Sequence, residues 1–308
     1  ARTVAKPAGE PAAIADAVRL MAQAKRPVIL AGGAVLRSRA SDKLVALAEL
    51  WGAAVVTTMA GKSAFAETHP LSGLHTGSKG TPPGLHLTRN ADVILALGTR
   101  FADETTCSYR EGVAFSFPKT QLIHVDIDAG EIGKNYGCAV GIIGDLAQVS
   151  RQILAGYGAP RDWQNGAYAR EIAKNVSVWR ETIAKNREIT FDRITVSQLI
   201  GELEACLPEE TIIATSSGNT QAQLFQEYAF CRGQSHLTTG GFSTMGWAFP
   251  ASLGAKLASP ARPVVCLLGD GDFMMTMQEL ATMAQYGIPV VSVLANNRCW
   301  MAIEDLQR

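Results

Sequence analysis

Short apolar runs recur along this chain, and the segments between them carry apolar residues at helical spacing. A run of this length, rich in β-branched residues and bounded by Gly, Pro or Asp, is typical of a strand buried on both faces, as in a parallel sheet. Strands that alternate with helices predict an α/β fold with two doubly wound parallel sheets. The predicted strands are 27–30, 54–56, 91–97, 121–125, 211–214, 263–268 and 290–294.

The runs fall into two groups, which predicts a first sheet domain over 1–157, a helical connector over 158–193 and a second sheet domain over 194–308. The connector is long and charged, and it carries an apolar stripe that we expect to pack across the sheet domains. The stripe consists of Trp163, Tyr168, Ile172, Val176, Trp179 and Ile183. Because the chain starts without Met and stops soon after its last motif, we expect it to be part of a longer polypeptide.

Composition excludes several classes of function. The chain has 308 residues, 47% apolar and 18% charged, with a net charge of zero. No basic patch indicates nucleic acid, no apolar run approaches the ~20 residues of a membrane span, and no signal peptide opens the sequence. The six cysteines form no Cys-x-x-Cys pair, which favours reduced thiols in the cytoplasm over disulfides or a zinc site.

The most specific motif is Gly269–Asp270–Gly271 followed, after 24 intervening residues, by Asn296–Asn297. Each half comes directly after an apolar run, with helical spacing between them, so the unit predicts strand, helix and parallel strand. Ligands collect at the carboxyl ends of such strands, and a helix N-terminus there favours anions. Carboxylate and amide oxygens suit Mg²⁺, which completes its octahedron with phosphate oxygens and water. The next residue, Asp272, is interpreted as a helix N-cap turned toward its own amides.

In this strand–helix–strand context the motif resembles the fingerprint of thiamine-diphosphate (ThDP) enzymes. The resemblance implies that Asp270, the Asn297 side chain and the backbone carbonyl of Cys299 hold Mg²⁺ against the cofactor's diphosphate. It places Gly269, Gly271 and Asp272 in the cofactor site. It also implies a substrate pocket formed by Trp300, Met301 and Ile303.

Residues 239–250 resemble the family segment that lies beneath the cofactor's rings. Met245 matches the bulky apolar residue that holds ThDP in its bent form, in which the pyrimidine amino group reaches the thiazolium C2 proton. Ser243, which the resemblance also places at the cofactor, stands where acetolactate synthases usually have Gly. Without this context Met245 would be interpreted as a core methionine.

Residues 215–221 follow a predicted strand, open a helix and resemble the family's other diphosphate-binding loop. There Asn219 and Thr220 would donate hydrogen bonds to phosphate oxygens. Taken alone, a segment of this composition is more often a helix cap.

In acetolactate synthases the middle domain binds FAD, and parts of 1–157 look similar. The matching residues are Gly32, Gly33, Gly77, Arg100, Asp126 and Asp145. Ala34, Ser78–Lys79 and Thr105 depart from the family pattern, and some relatives hold ADP or no nucleotide, so the resemblance leaves FAD open. Arg100 is the best candidate for a nucleotide phosphate, with a surface salt bridge as the alternative.

The resemblance to acetolactate synthases extends over nearly the whole chain, as a middle domain and most of a C-terminal domain. It implies a ThDP- and Mg²⁺-dependent enzyme that makes or breaks a carbon–carbon bond of a 2-oxo acid or dione, assembled as a homodimer or homotetramer. The activating glutamate is expected in an N-terminal domain outside this chain, so no catalytic residue is assigned here.

Three alternatives remain. Trp300 replaces a polar residue of acetolactate synthases, which leaves open cleavage of a cyclic dione or transfer of an acetyl unit to phosphate. A second alternative is a non-catalytic remnant that holds a cofactor without turnover. The third, a nicotinamide dehydrogenase, is disfavoured because Gly32–Gly33–Ala34 does not supply the Gly-x-Gly-x-x-Gly turn.

Overall fold

The computed structural model describes residues 6–308, which form two compact units. The first ends at Trp179 and the second is Arg180–Arg308. This boundary lies inside the predicted connector, within a helix that crosses it.

The first unit is a six-stranded parallel sheet covered by helices. Its strands are β1 (Pro27–Ala31), β2 (Ala54–Thr57), β3 (Ser72–His75), β4 (Val93–Leu97), β5 (Gln121–Asp126) and β6 (Val140–Ile143). Its helices are α1 (Pro11–Gln23), α2 (Gly33–Arg37), α3 (Ser41–Trp51), α4 (Pro82–Arg89), α5 (Asp103–Thr106) and α6 (Leu146–Gly156), and α7 (Ala167–Glu188) continues into the second unit. The strand order is β3-β2-β1-β4-β5-β6. Strands β2 and β3 are added on one side of β1, and β4, β5 and β6 are added on the other side.

The apolar runs form the centre of this sheet. Every residue of β1 and β4 is buried, as expected of parallel strands covered by helices on both faces. Of the connector stripe, Ile172 is buried in the core of this unit, and Trp163 and Tyr168 pack against that core.

The second unit contains a four-stranded parallel sheet. Its strands are β7 (Ile212–Thr215), β8 (Ser235–Thr238), β9 (Val264–Gly269) and β10 (Val291–Ala295). Its helices are α8 (Val196–Cys206), α9 (Asn219–Glu227), α10 (Ala248–Ala258), α11 (Asp270–Met274), α12 (Glu279–Tyr286) and α13 (Met301–Gln307). The strand order is β10-β9-β7-β8. Strand β8 is added on one side of β7, and β9 and β10 are added on the other side.

The predicted fold class is confirmed, since both sheets are parallel and both alternate with helices. The sequence predicted one helix between Gly269–Gly271 and Asn296–Asn297. This prediction is wrong, because a turn over 275–278 separates α11 from α12. The Thr276 hydroxyl in that turn donates a hydrogen bond to the Gly246 carbonyl. Within residues 6–308, no helix combines the length and apolar character that a membrane crossing requires.

Candidate functional site

A cavity of about 150 Å³ lies at the carboxyl edge of the second sheet. Its lining comes from the segments that follow β7, β9 and β10, together with Met245. This volume far exceeds the ~15 Å³ that a single water needs. The cavity also lies where the strand order changes direction, which is the usual ligand position in an open parallel sheet.

The cavity gathers residues that are far apart in the sequence. Except for Ser243, every residue predicted for the cofactor, metal and substrate lines it: Asn219, Thr220, Met245, Gly269, Asp270, Gly271, Asp272, Asn297, Cys299, Trp300, Met301 and Ile303. Ser243 lies next to this lining, with its hydroxyl oxygen 3.0 Å from that of Ser217. Sequence reasoning missed Ser217, Gly218, Ala295 and Ala302, although each lies within or beside a motif that was recognised.

The predicted metal ligands come from two adjacent strands. Asp270 is the first residue of α11 after β9, and Asn297 follows β10, which pairs with β9. Asn297 Oδ1 accepts a hydrogen bond from the Cys299 amide at 3.1 Å, which fixes its side chain over the turn. Residues 6–308 contain no group of three or more His, Cys, Asp or Glu that could hold a metal ion. A cation here would therefore depend on amide, carbonyl and ligand oxygens beside one carboxylate.

The Cys299 side chain is a poor ligand. A hydrogen bond to the carboxylate of Glu304 raises the pKa of its thiol, as do the nearby carboxylates of Asp270 and Asp305. Since only the thiolate binds metals well, the carbonyl of Cys299 is the better candidate.

Trp300 packs directly on the Gly-Asp-Gly turn. A Cβ built on Gly271 would lie 2.1 Å from Trp300 Nε1 and 2.3 Å from Cδ1, so only glycine leaves room for the indole in this position. The ring forms an apolar wall of the cavity next to Asp270, while Trp300 as a whole stays 57% exposed.

The loop after β7 is held from behind by buried polar side chains. Gln221 Nε2 donates to Thr215 Oγ1 at 3.1 Å and to Thr238 Oγ1 at 2.9 Å, and Thr215 also pairs with His236 at 2.8 Å. The loop ends at Gly218, whose φ of 102° favours glycine. A Cβ at Gly218 would meet no atom within 4 Å, so the backbone faces open space where it lines the cavity.

Asn219, the first residue of α9, also contacts the last helix. Its Nδ2 donates to Asp305 Oδ2 on α13 at 2.9 Å. The predicted phosphate donor is therefore engaged by a carboxylate in this structure.

The N-cap interpretation of Asp272 is wrong. Gly269 is the N-cap of α11, and Asp272 Oδ1 instead accepts a hydrogen bond from the Gly246 amide, 26 residues earlier in the chain. Asp272 is 3% exposed, and no hydrogen-bond partner of its Oδ2 lies among residues 6–308. Burial raises its pKa, and the Gly246 amide and the Ser216 hydroxyl oppose that rise. Both groups thus favour the charged form of the carboxylate.

The six residues predicted for FAD all lie at the carboxyl edge of the first sheet, where all but Arg100 have a structural explanation. A Cβ at Gly32 would be 2.1 Å from Gly98 O, and one at Gly77 would be 2.5 Å from Glu104 O. Asp126 accepts from the Asp128 amide at 3.0 Å.

The remaining predicted FAD residues agree with this pattern. Asp145 caps α6, and Gly33 packs against Ala60, while the Arg100 side chain is exposed. The glycines are thus explained by packing of the chain on itself.

The residues that line the cavity of the second unit fit ThDP and Mg²⁺. They offer one carboxylate, one amide oxygen and one carbonyl for a hard cation, hydroxyls at Ser217 and Thr220, and an open glycine backbone at Gly218. This donor set suits a cation that is shared with a diphosphate.

Comparison with known proteins agrees with this chemistry. Residues 14–153 match the family model for the central domain of thiamine pyrophosphate enzymes, and residues 216–308 match that for their C-terminal TPP binding domain. The chain belongs to the thiamine pyrophosphate enzyme family. Thiamine pyrophosphate is another name for ThDP, so the family matches the resemblance seen in the sequence.

Within the thiamine pyrophosphate enzymes, the chain is acetolactate synthase-like. It is 37% identical over 307 residues to a probable acetolactate synthase large subunit of Methanocaldococcus jannaschii, covering 95% of this chain and 49% of that protein. It is 36% identical over 304 residues to the corresponding protein of Methanococcus aeolicus, covering 94% and 49%.

A probable sulfoacetaldehyde acetyltransferase of Rhizobium meliloti is 34% identical over 314 residues, covering 96% of this chain and 53% of that protein. The chain therefore spans about half the length of the curated relatives it matches.

Proposed function

We propose that the polypeptide containing this chain is a ThDP- and Mg²⁺-dependent enzyme that makes or breaks a carbon–carbon bond of a 2-oxo acid or dione, as acetolactate synthases do. The observation that carries the proposal is the cavity that places Asp270, Asn297 and the Cys299 segment beside Met245. A site assembled from three strand ends and a distant methionine is difficult to explain as ordinary core packing.

Different residues of the cavity would bind the metal ion and the diphosphate of the cofactor. Asp270, Asn297 and the Cys299 carbonyl would bind Mg²⁺, and Asn219 and Thr220 would donate to diphosphate oxygens. For Asn219 this requires its amide to leave Asp305 or to be shared with it.

The remaining lining shapes the reaction space. Met245 would set the bent conformation of the cofactor, and Trp300, Met301 and Ile303 would exclude water from the substrate. When bound, ThDP supplies the nucleophilic carbon and the electron sink that stabilises the carbanion left by cleavage beside a carbonyl.

The proposal extends to a cytoplasmic homodimer or homotetramer, and the six cysteines, all free thiols, are compatible with a reducing compartment. FAD binding at the first sheet stays a prediction, because close packing of glycines also occurs in sheets that bind a dinucleotide. The domain limits 1–157, 158–193 and 194–308 are kept as part of the proposal.

The first experiment is calorimetric titration of ThDP into the protein expressed from its complete gene, with Mg²⁺ and with EDTA. Asp270→Ala is expected to weaken Mg²⁺-dependent binding at least about 100-fold, because it removes the only charged ligand of the proposed set. Asp192→Ala, the same substitution at an exposed position of the second unit, is the matched control. Equal ThDP affinity of Asp270→Ala and the control would refute the site.

Product analysis separates the candidate reactions. Acetolactate formed from pyruvate supports the main proposal. The similarity to the Rhizobium meliloti protein favours one second candidate, acetyl transfer, which would appear as acetyl phosphate and sulfite formed from sulfoacetaldehyde and inorganic phosphate. Tight ThDP binding without turnover of either substrate would support the non-catalytic alternative.

A further inference from the structure

The backbone of Gly246, the residue after Met245, is held by two side chains: Asp272 of α11 and Thr276 of the turn that follows α11. Asp272 Oδ1 accepts from the Gly246 amide, and Thr276 Oγ1 donates to the Gly246 carbonyl at 3.0 Å. The backbone amide and carbonyl of Gly246 are thus both hydrogen-bonded to side chains, and these two side chains lie four positions apart in the sequence. We call this arrangement, formed by Gly246, Asp272 and Thr276, the Gly246 clamp.

Glycine is required at the centre of the clamp. Gly246 is buried and has a φ of 75°, which L-residues rarely adopt. A Cβ there would lie 3.0 Å from Met275 Cβ and 3.2 Å from Thr276 Cγ2. The segment around Met245 therefore lies in close contact with the segment that carries Asp270.

The clamp joins the two sides of the cavity. Met245, Asp270 and Asp272 all line it, and only the clamp residues connect the Met245 segment by side-chain hydrogen bonds to the 270–276 segment within residues 6–308. On the other side of Gly246, Ser216 Oγ accepts from the Ala248 amide at 2.6 Å. The backbone of 246–248 is thereby tied both to the loop after β9 and to the loop after β7.

Burial makes the Asp272 contact stronger than an exposed one. The carboxylate is 3% exposed, so loss of its oxygen leaves the buried Gly246 amide without a partner.

The geometry points to Asp272 and Thr276 as positioning residues that fix Met245 in the cavity relative to Asp270. This inference rests on the proposed function, and it assigns no direct contact of either side chain with substrate. The clamp sets the width of the space between the methionine and the metal ligands, and so the conformation of the cofactor held there.

The test compares two properties of the holoenzyme expressed from its complete gene: the affinity for ThDP in Mg²⁺, and the rate at which bound ThDP exchanges its C2 proton with D₂O, read by NMR. Asp272→Ala and Thr276→Val are expected to slow exchange about tenfold, because the peptide after Met245 is no longer held. The ThDP affinity of Thr276→Val, whose side chain does not line the cavity, should change by less than about threefold.

Conservative variants separate positioning from general damage. Asp272→Asn keeps an oxygen for the Gly246 amide, and Thr276→Ser keeps the hydroxyl, so both should restore exchange to within about threefold of the unmodified protein. Thr282→Val, the same loss of a hydroxyl on α12 outside the cavity lining, should leave exchange unchanged. If Asp272→Ala fails to fold, Thr276→Val carries the test.

Two results would overturn the clamp: unchanged exchange in Thr276→Val with ThDP bound, or a defect confined to affinity. Failure of the unmodified protein to bind ThDP would refute the proposed function instead, so the two ideas fail in different ways.

Discussion

Replacement of Gly32 by alanine is expected to destabilise the first unit by about 3 kcal/mol, even without any nucleotide. The new Cβ would lie 2.1 Å from Gly98 O, 2.6 Å from Gly98 C and 2.9 Å from Thr99 Cα. All three atoms belong to the backbone at the end of the buried strand β4, so no side chain can rotate away.

The magnitude follows from the required movement. An ordinary contact at this position starts near 3.4 Å, so the two chain segments must separate by about 1.3 Å. Overpacking of this kind costs about 1–3 kcal/mol. The movement also stretches the buried hydrogen bond from the Gly32 amide to Leu97 O, now 2.9 Å long, which adds about 1 kcal/mol.

Hydrogen exchange measured by mass spectrometry is the assay, because it reports on each unit separately. Amides of β1 and β4 should exchange about 100-fold faster in Gly32→Ala, while those of β9 in the second unit should not change. Gly137→Ala is the matched control, since a Cβ at that exposed glycine meets no atom within 4 Å. Similar exchange in the two variants would refute the packing argument.

Two further predictions concern buried ionisable groups. Burial lowers the pKa of His124, and its hydrogen bond with the Thr99 carbonyl only partly opposes this. The unfolded chain therefore binds a proton at His124 more readily than the folded chain, so the free energy of unfolding of the first unit should fall as pH drops below about 6.5. Urea titrations should show a smaller fall in His124→Asn. An identical pH dependence of the two proteins would contradict this prediction. Burial also raises the pKa of Cys266 to about 12. Iodoacetamide should therefore label exposed Cys206 in the folded protein but label Cys266 only in urea. Equal labelling rates of the two cysteines in mass spectra would count against the burial of Cys266.

The sequence predicted the central strands better than the edge strands. β1, β4 and β9 have helices or strands on all sides, so their residues are almost all apolar and visible as runs. β3, β6 and β8 were not predicted, and all three lie at the edge of a sheet, whereas β10, the fourth edge strand, was predicted from its apolar run. An edge strand pairs on one side only, so Ser72–His75 and Ser235–Thr238 tolerate polar residues and lack a distinctive pattern.

The candidate site was predictable where its chemistry is local. Gly269–Asp270–Gly271 and Asn297 follow adjacent strands, so the strand pattern alone brings them together. The error at Asp272 arose because its partner, Gly246, comes from a segment whose path no local rule describes. A capping preference is a statement about neighbours in sequence, and a contact across 26 residues overrides it.

The position of β10 has a practical consequence for handling the 308-residue chain. β10 forms one end of its sheet, and Val291 and Leu294 are 62% and 41% exposed. Natural edges discourage association with lysine, proline or a bulge, whereas Val291–Ala295 has no charged residue or proline and pairs with β9 in unbroken register. We therefore expect this edge to recruit strands from neighbouring molecules at high concentration, so that dilution keeps the 308-residue chain dispersed.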